Sequence, residues 1–133
     1  MKNTLLVIDD DKTVLETIRA HFECRNYDVY TAEDGLEGIE VCQEVFPDVI
    51  LVDLKMKRMD GDTAVPFLRQ TVPHSKIFVL SALSEKAAAP RVAGLEVDDY
   101  LEKPVSVKEL EAHLEQALQS PDPSLQNLVL KVA

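Results

Sequence analysis

Three consecutive aspartates, residues 9–11, stand directly after the apolar run 5–8. Adjacent carboxylates repel one another, so such a group is either solvated in a surface loop or held by a cation. For an isolated triplet, a solvated acidic loop at the end of a strand is the ordinary explanation. Other polar residues also end or follow apolar runs, namely Asp53, Ser81 and Lys103, so the chemistry depends on where the fold places them.

Short apolar runs alternate with segments of helical periodicity, which predicts a parallel sheet with helices on both faces. Runs that are apolar throughout are typical of central strands covered on both sides, whereas mixed runs favour the edges. The segments 28–32 and 98–101 are mixed, and we expect them at the two edges. The five runs are 5–9, 28–32, 48–53, 76–81 and 98–101.

The carboxyl ends of parallel strands share one edge of the sheet, and ligands bind in the crevice there. Asp9, Asp10, Asp53, Ser81 and Lys103 should therefore meet, which a solvated acidic loop does not explain. One lysine cannot neutralise three carboxylates, so a further cation is expected. No histidine or cysteine belongs to the group, and oxygen ligands favour Mg²⁺ over zinc.

Capping signals locate several helix ends. Asp62 is predicted to cap the third helix, and Ser106 with Glu109 forms a capping box at the last one. Pro90 falls in the middle of the fourth helical segment, and Gly94 follows it. We therefore expect a fourth helix that is short, kinked or mobile.

Composition limits the class of protein. The chain of 133 residues carries 24 acidic and 14 basic residues, a net charge of −10, which argues against gripping nucleic acid or an anionic membrane. No apolar run reaches the length of a membrane span, and a strand begins almost at once, leaving no room for a signal peptide. Cys24 and Cys42 are expected to be buried free thiols. These features predict a cytoplasmic protein.

Four motifs resemble the receiver domain of bacterial two-component response regulators: "VIDDD" at 7–11, "DVILVDLKM" with "MDG" at 48–61, "VLSA" at 79–82 and "DDYLEKP" at 98–104. Spacing and residue types both match, over residues 4 to about 119. The resemblance implies an α/β, flavodoxin-like, doubly wound parallel sheet of five strands in the order 2-1-3-4-5, with five helices, the order known for a receiver.

The resemblance also implies roles for the acidic residues. Asp53 corresponds to the phosphoacceptor of the family. Asp9 and Asp10 correspond to the acidic pair that holds Mg²⁺, together with Asp53 and the backbone carbonyl of Lys55.

Lys103 corresponds to the lysine that pairs with phosphoryl oxygens, followed by a cis peptide to Pro104. Ser81 matches the switch hydroxyl and Tyr100 the switch aromatic. Asp11 is interpreted as the N-cap of the first helix, without a role at the metal.

Some positions depart from the family pattern. Lys57 stands where proline is common, so we expect a looser loop after the phosphoacceptor. Lys55 and Leu83 occupy positions that tune the lifetime of the acyl phosphate in the family. Pro90 makes a regular fourth helix doubtful, and that helix usually contributes to the output face.

The function implied is a phosphorylation-controlled signalling module. A sensor histidine kinase would supply the phosphoryl group in a Mg²⁺-dependent reaction, and output would pass through the fourth helix, fifth strand and fifth helix to a homodimer or an output domain. Its enzymatic chemistry would be limited to its own phosphorylation and dephosphorylation, and the domain itself would bind neither nucleic acid nor membrane.

Three alternatives remain. A metal-dependent phosphatase with an aspartyl nucleophile typically has a second aspartate two residues on, where this chain has Lys55. A nucleotide-binding flavodoxin-like module would need a phosphate loop where Asp10, Asp11 and Lys12 stand. A receiver-like scaffold that is never phosphorylated would not need all five site positions filled.

The receiver domain is predicted to span residues 1–120, and a different kind of segment follows it. Residues 121–133 are predicted to be a linker or tail, in which one helical face is formed by Leu125, Leu128, Val129 and Val132. Such a face suggests a linker helix toward an output domain outside this sequence, or toward a dimer partner, with a frayed terminus as the alternative.

Overall fold

The computed structural model describes residues 2–119, and the predicted tail at 121–133 lies outside the described residues. The described part forms a five-stranded sheet in the order β2-β1-β3-β4-β5, in which each neighbouring pair is parallel. The strands are β1 Asn3–Ile8, β2 Tyr27–Ala32, β3 Val49–Val52, β4 Lys76–Ser81 and β5 Asp99–Glu102. The helices are α1 Lys12–Glu23, α2 Gly35–Val45, α3 Gly61–Thr71, α4 Glu85–Val92 and α5 Val107–Gln119. The predicted fold, including both edge strands, is confirmed.

The sheet separates two apolar layers. Side chains of successive strand residues point to opposite faces, so Leu5 packs with α1 and α5, whereas Leu6 packs with α2, α3 and α4. The central strands β1, β3 and β4 are almost entirely buried, and β2 and β5 alternate or are only partly covered. Apolar burial on both faces holds the polar edge of the sheet in a fixed place.

Helix ends agree with the sequence in two cases and differ in one. Asp11 caps α1 by accepting from the amides of Thr13 and Val14, and Ser106 accepts from the amide of Glu109 at the start of α5. The prediction for α3 was wrong, because the helix begins at Gly61 and Asp60, not Asp62, precedes it.

The fourth helix is short, as expected, since α4 spans 8 residues and contains Pro90. Cys42 is a buried free thiol, but the expectation for Cys24 was wrong. Cys24 is exposed because it lies beyond Phe22, the last buried residue of α1. None of the helices among residues 2–119 is long and apolar enough to cross a membrane.

Candidate functional site

Two aspartates extend the ends of neighbouring strands. Ile8 of β1 lies beside Val52 of β3, and the next residue in each strand is Asp9 or Asp53. The amide of Asp53 donates to the carbonyl of Ile8 over 3.0 Å, so the hydrogen-bond ladder continues past the assigned strands. The backbone therefore fixes both carboxylates at the carboxyl edge of the sheet.

Asp9, Asp10 and Asp53 form an acidic cluster in which one carboxylate oxygen of each lies within 4.8 Å of the others. Asp9 is 2% and Asp53 8% exposed, whereas Asp10 is half-buried and reaches solvent. Three convergent carboxylates with one open side suit a hard divalent cation that keeps some of its water. The donor set fits Mg²⁺ by its chemistry.

Lys103 joins the cluster from the position directly after β5. Its Nζ lies 2.6 Å from Oδ2 of Asp9 and 3.3 Å from Oδ2 of Asp53. The amide of Lys103 donates to the carbonyl of Ser81 over 2.7 Å, which ties this residue to the end of β4. The Lys103–Pro104 peptide is cis, as predicted.

The charges of the cluster shift the ionisation of its members. Burial raises the pKa of Asp9, against the hydrogen bonds that it accepts from Lys103 and from the amide of Asp11. Burial alone would lower the pKa of Lys103, but its hydrogen bond to Asp9 and the charge of Asp53 raise the pKa above its ordinary value. Lys103 therefore stays an ammonium facing two carboxylates.

Ser81 and Tyr100 lie on the β4 and β5 side of the same edge. Ser81 is buried, and its Oγ accepts from the amide of Leu83 over 3.3 Å. Tyr100 is half-buried, and its hydroxyl donates to the carbonyl of Leu83. Burial raises the pKa of the Tyr100 hydroxyl, which keeps it protonated as a donor. Both residues thus meet at the segment that follows β4.

Lys55 lies in the loop between β3 and α3. Its amide is 3.5 Å from Oδ1 of Asp53, and its side chain is exposed. Gly61 closes this loop, since its amide donates to the carbonyl of Leu54 over 2.9 Å. A Cβ on Gly61 would lie 2.0 Å from the carbonyl oxygen of Asp53, so only glycine permits this approach.

Sequence reasoning missed one charged residue beside this loop. Arg91 of α4 donates to Asp62 and to the carbonyl of Leu54, next to Asp53 in the chain. Its partners lie 29 and 37 positions away in sequence, so no local motif indicated the contact. The one available signal was an isolated arginine on a helix with little apolar surface.

Comparison with known proteins identifies the family. The family model described as "Response regulator receiver domain" matches residues 5–115. Response regulator MprA of Mycobacterium sp. (strain KMS) is 36% identical over 121 residues, which cover 90% of this chain and 52% of the relative. The chain therefore spans about half the length of this curated relative.

Solved structures share the fold. Chemotaxis protein CheY4 of Vibrio cholerae superposes with a TM-score of 0.82 at 23% identity, over 88% of this chain and 99% of that one. A response regulator of Burkholderia pseudomallei is described with a phosphorylated aspartic acid, calcium ion and citrate. It superposes with a TM-score of 0.76 at 27% identity, over 90% of this chain and 76% of that one. The matches give no support to the phosphatase alternative. This chain belongs to the family of response regulator receiver domains of two-component signalling.

Proposed function

We propose that this receiver domain accepts a phosphoryl group on Asp53 from the phosphohistidine of a sensor histidine kinase, in a Mg²⁺-dependent reaction. The observation that carries the proposal is the position of Lys103, whose ammonium lies between Asp9 and Asp53 beside three convergent carboxylates. The phosphorylated aspartic acid described for the Burkholderia pseudomallei response regulator supports the same chemistry.

The transfer balances without another reactant. A carboxylate oxygen of Asp53 forms a bond to phosphorus as the phosphorus–nitrogen bond to the imidazole breaks, and its electron pair stays on that nitrogen. Mg²⁺, held by Asp9, Asp10, Asp53 and the Lys55 carbonyl, would supply neutralisation of the charge between the carboxylates and the phosphoryl oxygens.

Two other side chains receive the phosphoryl oxygens. Lys103 contacts both Asp9 and Asp53, so a small turn of its ammonium directs it to an oxygen bonded to phosphorus. Ser81 is the hydroxyl at the end of β4. Its Oγ accepts from the amide of Leu83 and interacts with the Tyr100 hydroxyl, and in the phosphorylated state its proton would turn to a phosphoryl oxygen. Catalysis here consists of position and charge, as phosphoryl transfer requires.

Phosphorylation would then change the surface beyond the site. The new group adds negative charge and acceptor oxygens that draw Ser81 toward Asp53. Because Leu83 contacts both Ser81 and Tyr100, that movement would release the hydroxyl of Tyr100 and let its ring turn inward. The face of α4, β5 and α5 would carry this change to a second copy or to an output domain in the cytoplasm, with residues 121–133 as linker.

The experiment compares wild type with Asp53→Asn after incubation with acetyl phosphate and Mg²⁺. Intact mass should show one acid-stable, base-labile phosphoryl group in wild type and none in the variant. Asp28→Asn removes an exposed carboxylate on β2 and serves as the control, which should be labelled like wild type. Equal labelling of Asp53→Asn would remove Asp53 as the acceptor.

Metal binding is measured separately. Titration of Mg²⁺ by NMR should show weaker binding for Asp10→Ala than for wild type, because the variant loses one of the three convergent carboxylates. Equal affinities in these two proteins would exclude Asp10 as a ligand.

A further inference from the structure

The side chain of Arg91 bridges three parts of the molecule. Its Nε lies 3.0 Å and its Nη2 2.9 Å from the two carboxylate oxygens of Asp62, in a two-point contact. The same Nη2 lies 3.1 Å from the carbonyl oxygen of Leu54 and 3.2 Å from Oδ2 of Asp60. One guanidinium on α4 therefore holds both the start of α3 and the loop that follows Asp53.

The partners of Arg91 are the groups that close this loop. The carbonyl of Leu54 also accepts from the amide of Gly61 over 2.9 Å, and Oδ1 of Asp60 accepts from the amide of Met56 over 2.8 Å. Arg91 thus donates to two of the acceptors that hold the folded loop, and a third, the carbonyl of Met59, accepts from the amide of Gly35. Asp53 precedes this loop and Lys55 lies within it, so the loop also sets the position of two predicted site residues.

Electrostatics favour the contact. The hydrogen bond from Arg91 lowers the pKa of Asp62. The same hydrogen bond, with the charges of Asp62, Asp60 and Asp53, raises the pKa of Arg91. Both groups therefore remain ionised at neutral pH. The Arg91 side chain is 25% exposed, so solvent screens the pair only in part.

The helix that carries Arg91 has few other ties: Val92 packs half-buried against the core, and the amide of Glu85 donates to Oε1 of Glu102 over 3.3 Å. Among residues 85–92, Ala88 is the buried one, and a buried alanine contributes much less apolar area than a leucine. The forked contact of Arg91 is therefore a substantial part of what positions α4.

We propose that Arg91 is a positioning residue that couples α4 to the phosphoacceptor loop. It holds the loop at 54–60 through Leu54 and Asp60, and through the same contacts it holds α4 against α3. A change in the loop at Asp53 then alters the contacts of α4, and a partner that displaces α4 alters the loop, since such coupling is reciprocal. This inference rests on the proposed function only for its consequence at Asp53.

Amide hydrogen exchange of the metal-free protein, followed by NMR, tests the coupling. In Arg91→Ala, the amides of Gly61 and Met56 and those of α4 should exchange about tenfold faster than in wild type. The reason is that the loop and the helix both lose the hydrogen bonds that the Arg91 guanidinium donates. Arg91→Lys should behave like Arg91→Ala, since an ammonium cannot reproduce the forked contact.

Arg69→Ala is the matched control. Arg69 is also largely buried and donates to the carbonyls of Glu96 and Ser75 and to Asp98, and none of these partners lies in the loop at 54–60. Gly61 and Met56 should exchange in this variant at the wild-type rate. Wild-type rates in Arg91→Ala, or equal acceleration in both variants, would overturn the proposal. If Arg91→Ala does not fold, Asp62→Asn tests the same contact from the other side.

A second measurement separates this inference from the proposed function. Mg²⁺ affinity should fall about threefold or more in Arg91→Ala while Asp53 is still labelled by acetyl phosphate, because the loop is loosened but the carboxylates remain. Absence of labelling in wild type would overturn the proposed function, whereas the metal-free exchange rates decide the role of Arg91 by themselves.

Discussion

Helices α4 and α5 flank the same edge strand but are attached by different forces. On α5, Leu110 and Leu114 are 1% and 0% exposed and pack into the core with α1. On α4, the buried residue is Ala88, and the principal tie is the ion pair of Arg91 with Asp62. One helix is held by apolar burial and the other by charges.

This difference indicates which of the two helices is displaced more easily. Apolar contacts deep in a core resist small displacements, because any gap loses both transfer energy and contacts. Hydrogen-bonded charges at a partly solvated site exchange partners at a smaller cost, since water replaces what is lost. A negative group added at Asp53 adjoins Leu54, whose carbonyl Arg91 of α4 contacts.

The largest expected effect concerns α5. Leu114→Ala should lower the free energy of unfolding by about 3 kcal/mol, because it leaves a cavity in a packed layer. Urea denaturation followed by circular dichroism measures the loss. The matched variant Leu118→Ala, at a half-buried position of the same helix, should cost less. A loss under about 1 kcal/mol for Leu114→Ala would contradict the apolar attachment of α5.

A smaller effect is expected on α4. Asp62→Asn should lower the free energy of unfolding by about 1 kcal/mol at neutral pH, because it removes the charge from a hydrogen-bonded pair that is partly open to solvent. Faster amide exchange should be confined to α4 and the neighbouring loop. Equal acceleration throughout α5 would show that the two helices open together, contrary to the comparison.

Acid should abolish the difference in stability between wild type and Asp62→Asn. The hydrogen bond from Arg91 holds the pKa of Asp62 below its ordinary value of 3.8, so the stabilisation is present above that value. It is lost as the pH falls through the folded-state pKa, when the carboxylate is protonated. Unfolding free energies of wild type and Asp62→Asn should therefore differ at neutral pH and converge below 3.8. A gap that persists in acid would mean that the ion pair is not its source.

The smallest effect is expected from salt. Raising NaCl from about 0.1 M to about 1 M shortens the screening length from about 10 Å to about 3 Å and weakens partly exposed charge pairs. Exchange in α4 should accelerate modestly, by about twofold, while α5 should stay within error. Hydrogen exchange at the two salt concentrations measures both helices in one sample. Acceleration of α5 alone would reverse the comparison.

Features encoded by neighbouring residues could be predicted from the sequence. The apolar runs of β1, β3 and β4 indicated central strands because both faces are covered, and the order of the strands followed from the family resemblance. The Ser106–Glu109 cap is a local contact of 3.1 Å and was visible as a motif. The convergence of Asp9, Asp53 and Lys103 followed from the shared edge of a parallel sheet.

Features set by tertiary contacts could not be predicted. The start of α3 was misplaced because the carboxylate of Asp60 accepts from Met56 and Arg91 instead of capping the helix. Arg91 itself was missed because helix propensity says nothing about partners on another helix. The exposure of Cys24 depends on where α1 stops covering the sheet, and helix ends are uncertain by about one or two residues.

The unequal burial of the two cysteines allows their labelling to report when the domain opens. Cys24 is exposed and should react with an alkylating reagent in the folded protein, whereas Cys42 is inaccessible and burial raises its thiol pKa to about 11. The second thiol can react only when the chain around it opens. Mass spectrometry would count one label on the folded domain and two after it has opened. The rate at which the second label appears would therefore measure the opening rate in a crude extract, with no denaturant, dye or substitution.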